Sequence, residues 1–397
     1  VQLRDRASCF DYQRSARVIE AIIATTLPLL FSEKDTILAD WIERSDTLRS
    51  LLENAPATIG LDTEFMRIDT FLPRLALVQI EINGRIALID PTADVDPASL
   101  AALLADPARV CVMHSASEDL EAFATWSCSI AQLFDTQIAA AFAGLGAGLG
   151  YQKLVRELVG IEVPKAETRS DWLRRPLSAE QLEYAAQDVV HLPVMHAQLS
   201  ARVAQRGYGN WLAEDCARML ERARQREPDP EPQVALRGAA EWPRETQALL
   251  RRVLRWRDVT ARAIDRPRSW LLDDAHALDL CARPPQDAGE LAERSKGQRS
   301  LRGPQRAELL DILLRPLAAD ELEFTPIPRA PSLREKATVT AMKEVVTARA
   351  AELDLPEGLL CARRHLESLL ATRDWPATLE GWRRGVLHDA LVALLPG

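Results

Sequence analysis

Two acids stand two residues apart in the segment IGLDTEF, Asp62 and Glu64. On a strand, residues i and i+2 face the same way, so this pair would converge at the end of an apolar run. Unpaired carboxylates away from water are costly. Either a hard divalent cation, which prefers oxygen ligands, or an exposed strand end would account for them. Asp119 lies near the start of SEDLEAFATW, where an acid also suits a helix dipole. Tyr184 and Asp188 stand four apart in YAAQD and so share a helical face, a pattern that an amphipathic helix with a boundary tyrosine also produces. Taken together, the set points to chemistry. Four carboxylates can hold two cations about 3.5–4 Å apart, the arrangement that hydrolyses phosphodiesters by generating hydroxide and steadying the leaving oxygen. A nearby tyrosine hydroxyl can orient the attacking water.

The elements that must carry these residues alternate along the first half of the chain. TIGLDTEF (58–65), LALVQIEI (75–82) and NGRIALID (83–90) read as strands, and Asn83-Gly84 predicts a tight hairpin between the last two. PASLAALLAD (97–106) reads as a helix and RVCVMHS (109–115) as a buried strand. SEDLEAFATW (117–126) reads as a helix capped by Ser117. FAGLGAGLGY (142–151) lacks the Lys-Ser/Thr ending of a phosphate loop and follows a helix, so it reads as a connection to a helix at 152–159. Ser178 and Gln181 form a capping box for a long helix over 178–206, kinked at Pro193. A meander followed by alternation with helices predicts a mixed α/β sheet.

Composition then changes. EPDPEPQ (227–233) predicts a stiff, extended linker, and the rest of the chain is helical in pattern with TPIPRAPS (325–332) as a second break. The two helical parts share a weak repeat signal, a Leu-rich helix and a Trp-Arg pair (Trp256–Arg257, Trp382–Arg383). Residues 244–268 hold eight arginines against three acids, a helix suited either to tracking phosphates or to a salt-bridged face.

The 397 residues carry a net charge of −9 with 47% hydrophobic and 27% charged residues, the balance of a globular protein of two or three domains. An acidic total does not advertise nucleic-acid binding, although a carboxylate metal site adds to it. The six cysteines form no C-x-x-C pair, which argues against a zinc site or a disulfide framework and for reduced thiols in a cytoplasm. Residues 18–31 are apolar but too short to span a bilayer, and no small-residue cleavage site follows. No membrane partner is expected, and residues 1–34 read as an N-terminal extension.

The order DTEF, HSASEDLEAF, YAAQD resembles the DEDD superfamily of 3′→5′ exonucleases, and SDWLRRPLSAEQLEYAAQDVVHL (170–192) is similar to ribonuclease D in particular. The likeness spans roughly residues 35–205. It implies a ribonuclease H-like mixed-sheet exonuclease domain holding two Mg²⁺ or Mn²⁺ ions. Asp62 would bridge both ions, Glu64 and Asp188 would hold the one on the nucleophile side, and Asp119 would assist the other. Tyr184 would position the water. One branch of the superfamily uses a histidine five residues before the last Asp. Glu183 occupies that position here, which places the chain in the tyrosine branch. Phe65 offers a face for base stacking, His114 a phosphate or ribose contact, and Lys165 and Trp172 resemble substrate contacts in relatives; core packing is the competing role for Phe65 and Trp172.

The stretch 249–285 resembles an HRDC domain, and residues 333–397 resemble a second, more divergent HRDC-like domain. The implied layout is an exonuclease domain over 35–226, a linker over 227–235, an HRDC domain over 236–322 and a second helical domain over 333–397. The implied function is trimming of tRNA precursors and other small structured RNAs at single-stranded 3′ ends by a monomer, releasing 5′-monophosphates. A DNA exonuclease of the same superfamily has the same active site. An inactivated scaffold that binds nucleic acid through its HRDC domains is the reading outside enzymology, and the complete acid set counts against it.

Overall fold

A computed structural model describes residues 38–163, 170–225 and 227–396. The expected N-terminal extension and Lys165 lie outside the described residues. The described residues form two compact units, one within Val1–Met66 and Leu75–Ala223 and one within Arg67–Arg74 and Arg224–Gly397.

The first unit is built on a six-stranded sheet, in the order β1-β4-β3-β2-β5-β6. Its strands are β1 (Ala39–Ile42), β2 (Thr58–Met66), β3 (Arg74–Ile82), β4 (Arg85–Ile89), β5 (Val110–Met113) and β6 (Leu133–Asp135). β3 and β4 run antiparallel, while β1 is parallel to β4, and β2, β5 and β6 are mutually parallel neighbours. The mixed sheet is the one expected. Asn83 and Gly84, both at positive φ (54° and 79°), make the two-residue hairpin. Ile59 and Leu61 of β2, Leu77, Val78 and Ile80 of β3, and Leu88 and Ile89 of β4 are buried to within 1% of complete. Burial on that scale gives the acids of β2 a rigid base.

Helices cover the sheet: α1 (Ser45–Leu52), α2 (Ala98–Leu104), α3 (Ser117–Thr125), α4 (Thr136–Phe142), α5 (Tyr151–Val159), α6 (Ala179–Val190), α7 (Leu192–Gln205) and α8 (Gly209–Arg224). Ser117 does not cap α3 as expected; it is the first helical residue, and the cap position is Ala116. The capping box of Ser178 and Gln181 is present. The long helix over 178–206 is two helices, parted at His191 (φ −95°, ψ −7°) with Pro193 in the first turn of the second. Gly60 allows that second helix to approach the sheet. A Cβ on Gly60 would lie 3.2 Å from Glu81 Cβ and 3.3 Å from Leu192 Cβ.

The second unit is helical: α9 (Arg244–Ala263), α10 (Arg268–Leu271), α11 (Asp274–Ala282), α12 (Ala288–Arg294), α13 (Gly303–Leu314), α14 (Leu333–Leu353), α15 (Glu357–Leu360), α16 (Arg363–Thr372) and α17 (Trp382–Val392). Leu250, Val253, Leu254 and Trp256 of α9 form a core with Leu271, Leu280, Leu309 and Ile327. α14 packs on α16 and α17. The two helical parts share one local pattern, which is not the one suspected in the sequence. Asp265 and Asp354, both left-handed (φ 47° and 49°), follow the two long helices. Each opens the pattern D-x-P-x-x-x-L, with Pro267 or Pro356 before a four-residue helix that ends on a buried leucine, Leu271 or Leu360. The Trp-Arg pairs are not equivalent, since Trp256 lies on the first long helix and Trp382 on the last helix.

Two further expectations change here. The Pro/acid segment is not a free extended linker. Pro232–Ala235 form a turn of 3-10 helix, and Gln233 is buried, donating to the Thr325 carbonyl at 2.9 Å. The arginines over 244–268 are largely engaged within the unit. Arg244 donates to the carbonyls of Leu322 and Phe324, Arg251 to that of Pro230 and Arg257 to that of Leu272. Arg252 is buried against Glu321. Arg262 and Arg268 pair with Asp258, and Arg266 donates to the Asp69 carbonyl. These contacts make much of the stretch a salt-bridged and carbonyl-bound face, while Arg266 and Arg268 stay about half exposed.

Candidate active site

Asp62 sits at the middle of β2, Glu64 two residues further toward its end, and Asp188 in the last turn of α6. One carboxylate oxygen from each lies within 4.8 Å of the other two. Asp119, in the first turn of α3, is outside that trio and is buried; it accepts a 2.5 Å hydrogen bond from the Thr63 hydroxyl. It still acts on the trio. Burial chiefly raises the pKa of Asp62, and repulsion from Asp119, Asp188 and Glu64 raises it further. Burial, then Asp188 and Asp119, push Glu64 to about 9. Burial likewise raises Asp188 to about 7 against the hydrogen bond from Tyr184, and Asp119 to about 6 against the bond from Thr63. Tyr184 is held above the ordinary phenol range by burial and then by Asp188, Glu64 and Asp62.

Acids so placed cannot all ionise unaided. Among the described residues Asp188 Oδ2 is buried with no hydrogen-bond partner, and an orphaned buried carboxylate oxygen calls for a cation or a proton. The donor set is all oxygen, which suits hard divalent ions such as Mg²⁺ or Mn²⁺. The residues present therefore fit a divalent metal centre.

Three supports were not apparent from the sequence. Thr63 orients Asp119, as above. Asp135, fully buried at the end of β6, caps α4 by accepting from the Gln137 and Ile138 N–H groups at 2.8 and 3.0 Å. Its other oxygen accepts from the Ala116 N–H at 2.9 Å and so fixes the start of the helix that carries Asp119. An Asp just before the helical run TQIAAAF is a recognisable cap signal. The third support is Arg175, whose guanidinium forms a two-point pair with Asp90 (2.6 and 2.7 Å) and donates to the carbonyls of Trp172 and Ala76. This latch holds the segment carrying Trp172 onto the sheet.

Of the proposed substrate contacts, Trp172 is corrected. It is 2% exposed and packs with Ala76, Leu77, Leu88 and Ala185, its ring 5.9 Å from that of Tyr184. A side chain so enclosed supports Tyr184 instead of meeting substrate. His114 is half-buried, with Nδ1 2.9 Å from the Thr136 hydroxyl and its ring edge-on to Tyr151. Phe65 is half-buried, and strand alternation puts it on the side of Thr63.

Comparison with known proteins agrees with this architecture. Residues 36–204 match a 3′-5′ exonuclease family and residues 246–313 an HRDC domain. The chain is 45% identical over 359 residues to ribonuclease D of Xanthomonas oryzae pv. oryzae, covering 89% of this chain and 98% of the relative. It is 36% identical over 349 residues to that of Pseudomonas paraeruginosa, covering 85% and 92%. The crystal structure of Escherichia coli RNase D, described as an exoribonuclease involved in structured RNA processing, superposes with a TM-score of 0.77 at 29% identity, covering 90% of this chain and 98% of that one. An acidic centre on a mixed sheet, followed by an HRDC domain and matched along nearly the whole length of such relatives, means that this chain belongs to the ribonuclease D family of divalent-metal-dependent 3′→5′ exoribonucleases.

Proposed function

We propose that the chain trims the single-stranded 3′ ends of tRNA precursors and other small structured RNAs, using two Mg²⁺ or Mn²⁺ ions held by Asp62, Glu64, Asp119 and Asp188. The observation that carries the metal reading is the trio of carboxylates within 4.8 Å, one of them with an orphaned buried oxygen. Bound divalent ions neutralise the phosphoryl oxygens and lower the pKa of water. Asp62, Glu64 and Asp188 would hold the ions, and Asp119, steadied by Thr63, would add a fourth carboxylate. The Tyr184 phenol, packed on Trp172 and held protonated, orients the attacking water. Cleavage of the P–O3′ bond then releases a nucleoside 5′-monophosphate. The HRDC match at residues 246–313 supports docking of structured RNA by the helical unit, and the buried thiols of Cys111, Cys128, Cys216, Cys281 and Cys361, free of disulfides among the described residues, suit a reducing compartment such as the cytoplasm.

Digestion of precursor tRNA, linear RNA and single-stranded DNA, side by side with and without EDTA, tests this reading. Precursor tRNA is expected to be shortened from its 3′ end only when metal is present, and Asp62→Asn to abolish the reaction. Preference for single-stranded DNA would favour the DNA exonuclease. An Asp62→Asn enzyme of full activity would overturn the mechanism.

A further inference from the structure

The break between α6 and α7 is bridged by a side chain from elsewhere. Pro193 has no N–H to donate, and its ring crowds the carbonyl four residues earlier, so the helix cannot run straight on from Val190. The Tyr151 hydroxyl, from the first residue of α5, donates to the Gln187 carbonyl at 2.6 Å. In an uninterrupted helix that carbonyl is the acceptor for the His191 N–H. Here the His191 N–H is directed at the Val189 carbonyl and contacts the phenol oxygen. A hydroxyl inserted into the hydrogen-bond ladder is a recognised cause of a sharp bend.

The bend matters because of what lies beside it. Gln187 immediately precedes Asp188, and Tyr184 lies one turn back on the same helix. On the other side of the break, Leu192 seats against Gly60, two residues before Asp62. Tyr151 is itself braced: the His114 ring stands edge-on at 5.7 Å, and His114 is tied to Thr136, whose hydroxyl donates to the Met113 carbonyl at the end of β5. Asp188 and Asp62 lie close enough to this phenol to help burial raise its pKa.

We infer that Tyr151 is a positioning residue for the metal centre: its hydroxyl pins the last turn of α6 and thereby sets where the Asp188 carboxylate projects. This deepens the metal reading of the previous section and rests on it. Loss of the hydroxyl leaves the Gln187 carbonyl without its donor. The turn can then relax, and the acid trio loses its spacing.

The test uses the full chain with Tyr151→Phe, which removes only the hydroxyl, and Tyr151→Leu, which also removes the ring. Mn²⁺ binding is measured by titration calorimetry on metal-free protein. In parallel, kcat and KM are followed on a short RNA at limiting and saturating Mn²⁺, and thermal melting reports the fold. One net hydrogen bond corresponds to roughly a two- to tenfold change in an equilibrium constant. Tyr151→Phe is therefore expected to weaken Mn²⁺ binding by about that factor and to lower kcat at limiting Mn²⁺. Saturating Mn²⁺ should recover most of the rate, and the KM for RNA should stay unchanged. Tyr151→Leu should add little further loss of Mn²⁺ affinity. Unchanged Mn²⁺ affinity in Tyr151→Phe overturns the inference, even if the melting temperature falls, because that pattern marks a merely structural hydroxyl. A wild-type chain that binds no Mn²⁺ would instead overturn the metal reading beneath it.

Discussion

At the scale of single residues, the proposed site is a set of acids whose pKa values are raised first by burial and then, for Asp62, Glu64 and Asp188, by neighbouring carboxylates, and this has a measurable consequence. Carboxylates whose folded pKa values lie above their unfolded ones bind more protons in the folded state, so stability falls as pH rises between the two values. With Asp119 at about 6, Asp188 at about 7 and Glu64 at about 9, against unfolded values of about 4, the metal-free protein should lose stability progressively from about pH 4 to pH 9. A divalent ion offsets the cost of ionising these buried acids. The rise in melting temperature on replacing EDTA with Mn²⁺ should therefore be larger at pH 8.5 than at pH 5.5, and equal rises would sink this account of the site. Tyr184 makes a different prediction, because its proposed work is on the water and not on the fold. Tyr184→Phe keeps the packing against Trp172 and removes the hydroxyl, so kcat should fall about 100-fold with RNA affinity nearly unchanged, while the lost bond to Asp188 should cost about 1 kcal/mol of stability. A matching loss of affinity would show that the phenol holds substrate instead.

At the scale of elements, much of the site's frame was legible because the relevant signals are local. The i, i+2 acids of β2, the Asn83-Gly84 hairpin and the Ser178/Gln181 box each depend on neighbours a few residues away. β1 and β6 did not show themselves, since strands of four and three residues are too short to display a period. Trp172 was ambiguous for another reason. Its burial depends on Arg175 reaching Asp90, 85 residues away in sequence, which no local pattern encodes. That latch can be tested. The pair is mostly withdrawn from solvent, and removing one partner of such a pair strands the other. Arg175→Ala should cost about 3 kcal/mol, toward the low end for a buried pair because the guanidinium keeps some contact with water. Burial opposes ionisation of Asp90, but the bonds from Arg175 and Thr92 prevail and its pKa is lowered. A lowered carboxylate pKa gives stability that is complete above the unfolded value, about 4, and is lost as pH falls through the folded one. Denaturant melts of Arg175→Ala should thus show the full deficit at pH 7 and a smaller one near pH 2. A deficit independent of pH would mean that packing, not the ion pair, holds the segment.

At the scale of the whole molecule, the chain's division is not a simple cut along the sequence. β2 ends at Met66, and the next eight residues, Arg67–Arg74, belong to the helical unit. There Asp265 accepts from the Phe71 N–H at 2.9 Å, and Arg262 and Arg268 lie 4.7 and 4.4 Å from the Phe71 ring. Asp265 is also the left-handed residue that opens the first D-x-P-x-x-x-L pattern, so one position both ends a helix and holds a segment from far upstream. Deleting residues 236–397 therefore does two things at once: it removes the proposed RNA-docking helices and frees the segment that leaves the strand bearing Asp62 and Glu64. A second variant separates these effects. Asp265→Asn keeps a residue that tolerates the left-handed conformation and replaces the charged acceptor with a neutral one, leaving the docking helices in place. The deletion is expected to lower processing of precursor tRNA at least tenfold while short single strands are cleaved within a few fold of the full chain, and Asp265→Asn is expected to change neither rate by more than about twofold, as suits the loss of a charge on one exposed hydrogen bond. If the deletion impairs both substrates equally and Asp265→Asn reproduces part of that loss, the helical unit serves the active strand through Arg67–Arg74 and not through the RNA.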